Sequence, residues 1–206
     1  LGVIRDMTHW KRLEEKTQRD IVKRKHIEGT LQKEQRRLQA MLAESSQVSE
    51  LLDILQSCQT IKEAYRIIET TLPSILSCHA GALCITSDSR DLIEGVAVWG
   101  ETAATRNAFR PEDCWALQRG KMHQAGGNES PALCTHIPNI EGFDHLCVPL
   151  VAQGETLGIL TLADPIRTEK HRNDLERQAK VVGKRLALAL ANLRWRDILR
   201  NRSLRD

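Results

Sequence analysis

The 206-residue chain is 41% hydrophobic and 28% charged, carries a net charge of +3, and is only 3% aromatic. That composition supports a buried core in one or two domains, and it excludes a strongly basic nucleic-acid face or a surface that stacks bases. No run of about 18 apolar residues occurs, so no membrane contact is expected from this chain.

The first residues are strand-like and quickly become charged. The start is not a signal peptide, and with six cysteines it implies reduced thiols and a cytoplasmic setting. From residue 10 to residue 58 there is no proline and a single glycine. Ile27, Leu31, Leu38, Met41, Val48, Leu52 and Leu55 recur on three- and four-residue steps, with Glu34 and Ser45 in the two polar slots of the series. This is an a/d seam, and it predicts a parallel coiled coil in a homodimer, the alternative being an amphipathic helix packed on its own domain. The basic runs Lys23-Arg-Lys25 and Arg36-Arg37 lie among acids and read as solvated helix face.

A second unit is expected from about residue 59. Ile61, Ala64, Ile67, Ile68 and Leu72 make an apolar helix face that Pro73 closes or bends. Gly81 to Ser87 reads as a buried strand and Leu92 to Gly100 as its hairpin partner. A short helix is predicted over Pro111 to Arg119, with Pro at its first turn followed by two acids. Two apolar runs, His145 to Ala152 and Thr156 to Ala163, flank Gln153-Gly-Glu155 and form a hairpin. A last helix runs from about Thr168, with Leu175, Ala179, Val182, Leu186 and Leu193 on one seam. Helix, strands, hairpin and long helix specify an α+β domain flanked by helices.

Between residues 101 and 142, Cys114, His123, Cys134 and His136 are the concentrated set of soft ligands. Two thiolates and two imidazoles complete a tetrahedral zinc site, and a metal would order a segment with little apolar content of its own. Two buried thiols and two surface imidazoles explain the same residues without a metal. An organic cofactor such as haem or bilin is a third reading. Cys134 and His136 would share one face of an extended chain, but nothing nearby identifies a group to orient the histidine or an oxyanion site, so no nucleophile pair is assigned. Cys58 and Cys84 are expected to pack in the core, Cys147 likewise within its strand, and His145 at the surface. Trp115 is expected to pack the short helix onto the sheet and Trp99 to pack in the core, while Trp10 and Trp195 fall on the helical linkers. There is no P-loop, and Gly126-Gly127 reads as a flexible turn.

The run Leu146-Cys-Val-Pro-Leu-Val-Ala-Gln-Gly-Glu-Thr-Leu-Gly-Ile-Leu-Thr-Leu162 resembles a GAF domain, over about residues 48 to 194. Glu112-Asp-Cys-Trp-Ala-Leu-Gln-Arg-Gly120 resembles a segment of bacterial GAF domains attached to cyclase outputs. Gly2 to Glu15 resembles the last strand and exit helix of a PAS domain, and Leu193 to Asp206 the helix leading into a GGDEF diguanylate cyclase. The resemblance implies a PAS-like tail (1–9), a coiled-coil signalling helix (10–58), a GAF domain (59–194) with a central antiparallel sheet, and a C-terminal signalling helix (168–206). It implies a non-catalytic sensory module that transmits a signal from an upstream sensor to a downstream cyclase. A zinc or redox sensor, a ligand-free dimerisation spacer and the sensor of a histidine kinase are the alternatives. Any small-molecule pocket would lie beneath residues 101 to 142. The cysteine–histidine pair of bilin-binding relatives is matched in sequence by Cys78-His79, which lies before the first strand, and the signature of cyclic-nucleotide-binding relatives is absent.

Overall fold

The computed structural model describes residues 2–101, 104–126, 133–138 and 142–203. Helix α1 covers Gly2–Ser57. Residues 1–46 form one compact unit and residues 47–206 another. The expected opening strand is therefore corrected: residues 2–9 are helical. A lone strand has no ladder to satisfy its N–H and C=O groups, whereas a helix pairs them within itself. In the first unit Ile27, Leu31 and Leu38 stand exposed. The lower part of the seam behaves differently: Val48 and Leu55 are buried in the core of the second unit together with Leu51, which lies off the predicted seam, while the seam residue Leu52 is only half-buried.

Helix α2 (Ile61–Leu76) starts at Thr60, whose hydroxyl accepts from the Glu63 N–H, while the Glu63 carboxylate accepts from the Gln59 N–H at 2.8 Å. Pro73 does not close this helix. The chain runs on for almost a turn and stops at Ser77, which is left-handed (φ 49°) and donates its N–H to the Pro73 carbonyl.

Strands β1 (Ala80–Thr86), β2 (Ile93–Trp99), β3 (Ala108–Phe109), β4 (His123–Ala125), β5 (Phe143–Ala152) and β6 (Glu155–Pro165) form one six-stranded sheet in the order β3-β2-β1-β6-β5-β4, every pair antiparallel. Gln153 and Gly154 join β5 to β6 with φ of 54° and 82°, the two positive angles that a two-residue hairpin demands. Helix α4 (Glu169–Ser203) returns across the sheet. Its predicted seam, Leu175, Ala179, Val182, Leu186 and Leu193, is buried throughout against Leu146, Val148 and Leu150 of β5 and Leu160 and Leu162 of β6. Each fully buried leucine there is worth about 1.5–3 kcal/mol relative to exposure.

The opposite sheet face is also covered. Ala82, Cys84, Cys147 and Ile159 pack under Phe109, Cys114, Ala116, Cys134 and Ile137, which belong to the segment between β2 and β5. With both faces covered, β6 is buried continuously from Leu157 to Asp164 rather than at alternate positions. Its neighbour β1 lies so close at Gly158 that a Cβ there would meet the Cys84 carbonyl oxygen and come within 2.8 Å of the Ile85 Cα. Gly158→Ala is therefore expected to destabilise the domain by about 1–3 kcal/mol. Chemical denaturation measures it, and a wild-type midpoint would contradict this packing.

Candidate metal centre

Three separate stretches of chain meet on the covered face. The first is a 3-10 turn (Pro111–Asp113) followed by helix α3 (Trp115–Arg119). The sequence predicts a single helix here, but Cys114 interrupts it with extended angles (φ −122°, ψ 114°). The break turns the Cys114 side chain fully inward.

The second stretch is Cys134-Thr-His-Ile137. It is a tight turn rather than an extended chain, closed by the Ile137 N–H donating to the Cys134 carbonyl at 3.1 Å. The turn is tied to the first stretch twice, by the Thr135 N–H on the Asp113 carbonyl (3.1 Å) and by the Thr135 hydroxyl on the Asp113 carboxylate (2.8 Å). That hydroxyl, followed by the Arg110 backbone N–H, holds the Asp113 carboxyl below the usual carboxylate range. The third stretch is β5 itself, which contributes Cys147.

The Sγ atoms of Cys114, Cys134 and Cys147 and a ring nitrogen of His136 all lie within 4.8 Å of one another, and all four residues are buried. His136 Nε2 is 3.7 Å from Cys147 Sγ. On the other edge of the ring, Nδ1 is 2.7 Å from the Thr105 hydroxyl. Phe109 stacks on the imidazole at 4.1 Å with planes 10° apart, and the Arg106 N–H donates to the His136 carbonyl at 2.9 Å. The Trp115 N–H donates to Cys134 Sγ at 3.4 Å.

Donation from Cys114 and Cys147 pulls the Cys134 thiol far below its ordinary range. The same bonds raise the two donors, Cys114 to about 11 and Cys147 well above its ordinary value. Three soft sulfurs and an imidazole nitrogen at this spacing can hold a thiophilic metal ion.

Of the four residues expected from the sequence, Cys114, Cys134 and His136 come together. His123 does not join them. It sits in β4 directly opposite Cys147, and Cys147, read from the sequence as core, takes the fourth position. Cys84 lies on the same sheet face, its thiol raised to about 12 by burial, outside the four. Cys78 is half-buried with its thiol raised by burial, and the His79 N–H donates to the Asp164 carboxylate at 3.0 Å.

His145 is corrected outright: it is buried, not at the surface, and neither ring nitrogen has a hydrogen-bond partner. Burial lowers its pKa and keeps it neutral. The signal was present in His145-Leu-Cys147, because residues two apart on a strand share a face. Trp115 is 42% exposed and does not pack the short helix down, whereas Trp99 is buried on the helix side of the sheet. Gly127 and the terminal Arg205-Asp206 lie outside the described residues.

The sequence model of the GAF domain matches residues 60–190. A search of curated protein sequences finds no match. Among solved structures, the chain resembles the A. aeolicus nlh2 GAF domain in an inactive state, with a TM-score of 0.60, 20% identity, and coverage of 75% of this chain and 98% of that one. It also resembles the GAF domain of a phosphoenolpyruvate-protein phosphotransferase from Acinetobacter (TM-score 0.57, 11% identity, 73% and 93% covered). A third likeness is to the free methionine-R-sulfoxide reductase from Neisseria meningitidis (TM-score 0.56, 11% identity, 74% and 90% covered). At these identities the likeness establishes the fold.

Thr161 lies beside Cys147 on β6, fully buried, and its hydroxyl has no partner. Thr161→Val keeps the shape and removes the orphaned group, so it is expected to stabilise the domain by about 1 kcal/mol in urea denaturation. A loss of stability would show that the hydroxyl is satisfied by a bound molecule.

Proposed function

We propose a relay function for this chain, which belongs to the GAF domain family: a non-catalytic regulatory module that dimerises through its flanking helices and passes a signal from an upstream PAS domain to a downstream diguanylate cyclase. GAF domains are generally sensory modules without catalysis of their own. The observation that carries the reading is the joining of the incoming and outgoing helices. Val48, Leu51 and Leu55 at the end of α1 share one apolar core with Leu186, Leu190 and Leu193 of α4. The junction is closed by polar bonds, from Arg196 Nη1 to the Gln56 carbonyl (3.0 Å) and from the Ile61 N–H to the Asp197 carboxylate (3.2 Å). A change in how the sheet packs on α4 therefore acts on both helices at once, which is what a two-state transmitter needs.

Dimerisation is supported by what the core leaves over. Val181, Leu188 and Trp195 of α4 follow one another at seven-residue steps and stand 45%, 53% and 53% exposed. An apolar stripe at that period suits a second copy of the same helix. No helix among the described residues is long and apolar enough to cross a membrane. The Cys114–Cys134–His136–Cys147 cluster supports a second element of the reading, in which the module carries a bound metal ion, zinc being the expected one.

Mass measurement in solution tests the relay. The wild-type chain is expected to be a dimer at micromolar concentration, and Leu188→Glu is expected to raise the dissociation constant at least tenfold while leaving the domain folded by circular dichroism. A wild-type chain that stays monomeric at high concentration overturns the relay reading.

A further inference from the structure

Resting on the metal reading above, we infer that the ion is Zn²⁺, held in a closed tetrahedron by Cys114 Sγ, Cys134 Sγ, His136 Nε2 and Cys147 Sγ, and that it pins the segment between β2 and β5 to the sheet. Zn–S bonds of ~2.3 Å and Zn–N bonds of ~2.0 Å place neighbouring ligand atoms ~3.5–3.8 Å apart. The 3.7 Å between His136 Nε2 and Cys147 Sγ is such an edge, and the 4.8 Å limit on all pairs leaves room for one ion. A two-iron cluster would have to divide the same ligands between two metals. Three sulfurs disfavour calcium and magnesium, which take oxygen ligands.

The imidazole is prepared for this role. With its Nδ1–H donating to Thr105 Oγ1 at 2.7 Å, the ring keeps its lone pair on Nε2, the atom that faces Cys147. The Thr105 hydroxyl has the His136 carbonyl within 3.5 Å to receive its own proton, so the donor direction is consistent around the loop. A hydrogen-bonded partner on the far nitrogen is what orients a histidine ligand, which makes Thr105 a positioning residue. Phe109 flat against the ring prevents it from turning edge-on. The Trp115 N–H on Cys134 Sγ supports the negative charge that three thiolates bring to the site.

Four protein ligands leave no position for water or substrate, and that is the mark of a structural rather than a catalytic zinc. The ligands come from the α3 approach, the 134–137 turn and β5, which are far apart in sequence, so one ion joins three stretches of chain. Binding an ion there is itself folding free energy for the segment.

Elemental analysis of chain purified without chelator is expected to give one zinc per chain. Apo protein refolded under reducing, oxygen-free conditions and titrated with Co²⁺ is expected to show thiolate-to-cobalt charge transfer and tetrahedral ligand-field bands, both abolished by Zn²⁺. Cys147→Ser should lose the metal, His123→Gln should keep it, and Thr105→Val should weaken zinc affinity ~10–100-fold at unchanged stoichiometry. Iron or copper in place of zinc, or metal loss in His123→Gln with retention in Cys147→Ser, overturns this inference and leaves the metal reading standing. Wild-type chain with no metal and no cobalt bands overturns both, and that result, like the identity of the metal in wild-type chain, needs no variant.

Discussion

Along β5, Leu146, Val148 and Leu150 enter the core under α4, while Cys147 points to the other face and into the cysteine–histidine cluster. Everything distinctive about the domain depends on that alternation. A slip of one residue against β6 would exchange the two sets, placing a thiol under the helices and leucines among the ligands. The register is held by the two-residue Gln153-Gly154 turn at one end. It is held along its length by a long ladder with β6, which is itself locked onto β1 where only a glycine fits, at Gly158.

The two faces are stabilised by different physics. The helix side is a conventional apolar core that draws on α1, α2 and α4 together. The covered side has smaller residues, a 3-10 turn, a five-residue helix and a tight turn, held largely by hydrogen bonds among themselves. Four ligand atoms gather in its centre. Beside them, His145 and Thr161 remain buried with polar atoms unpaired, a local cost of about 1–3 kcal/mol per group.

The helix side holds the lower end of α1 and much of α4 in one apolar layer, so under the proposed relay a displacement of the sheet would reach both. Solved structures at 11–20% identity share the fold across three different proteins, one of them a reductase, so the fold by itself assigns no function.

The long helices and the strands β1, β2, β5 and β6 were legible in the sequence because periodicity and turn chemistry are local. The α4 seam, the Gln153-Gly154 turn and the paired apolar runs needed no three-dimensional information. The opening strand was misread because a strand depends on a neighbour to pair with, and of the two readings of Pro73 the helix stop is excluded because α2 runs on to Leu76. Of the candidate site, Cys114, Cys134 and His136 were recognisable as soft ligands crowded into an irregular segment. The fourth member was not, because Cys147 sits in a strand where a cysteine looks like packing. Sequence alone determined the long helices, the strands β1, β2, β5 and β6, their order and their apolar faces, but not the short edge strands β3 and β4, which exist only through pairing with β2 and β5. Only the tertiary structure decided which of two facing residues, His123 or Cys147, completes the cluster, since that choice depends on where β5 meets two distant loops.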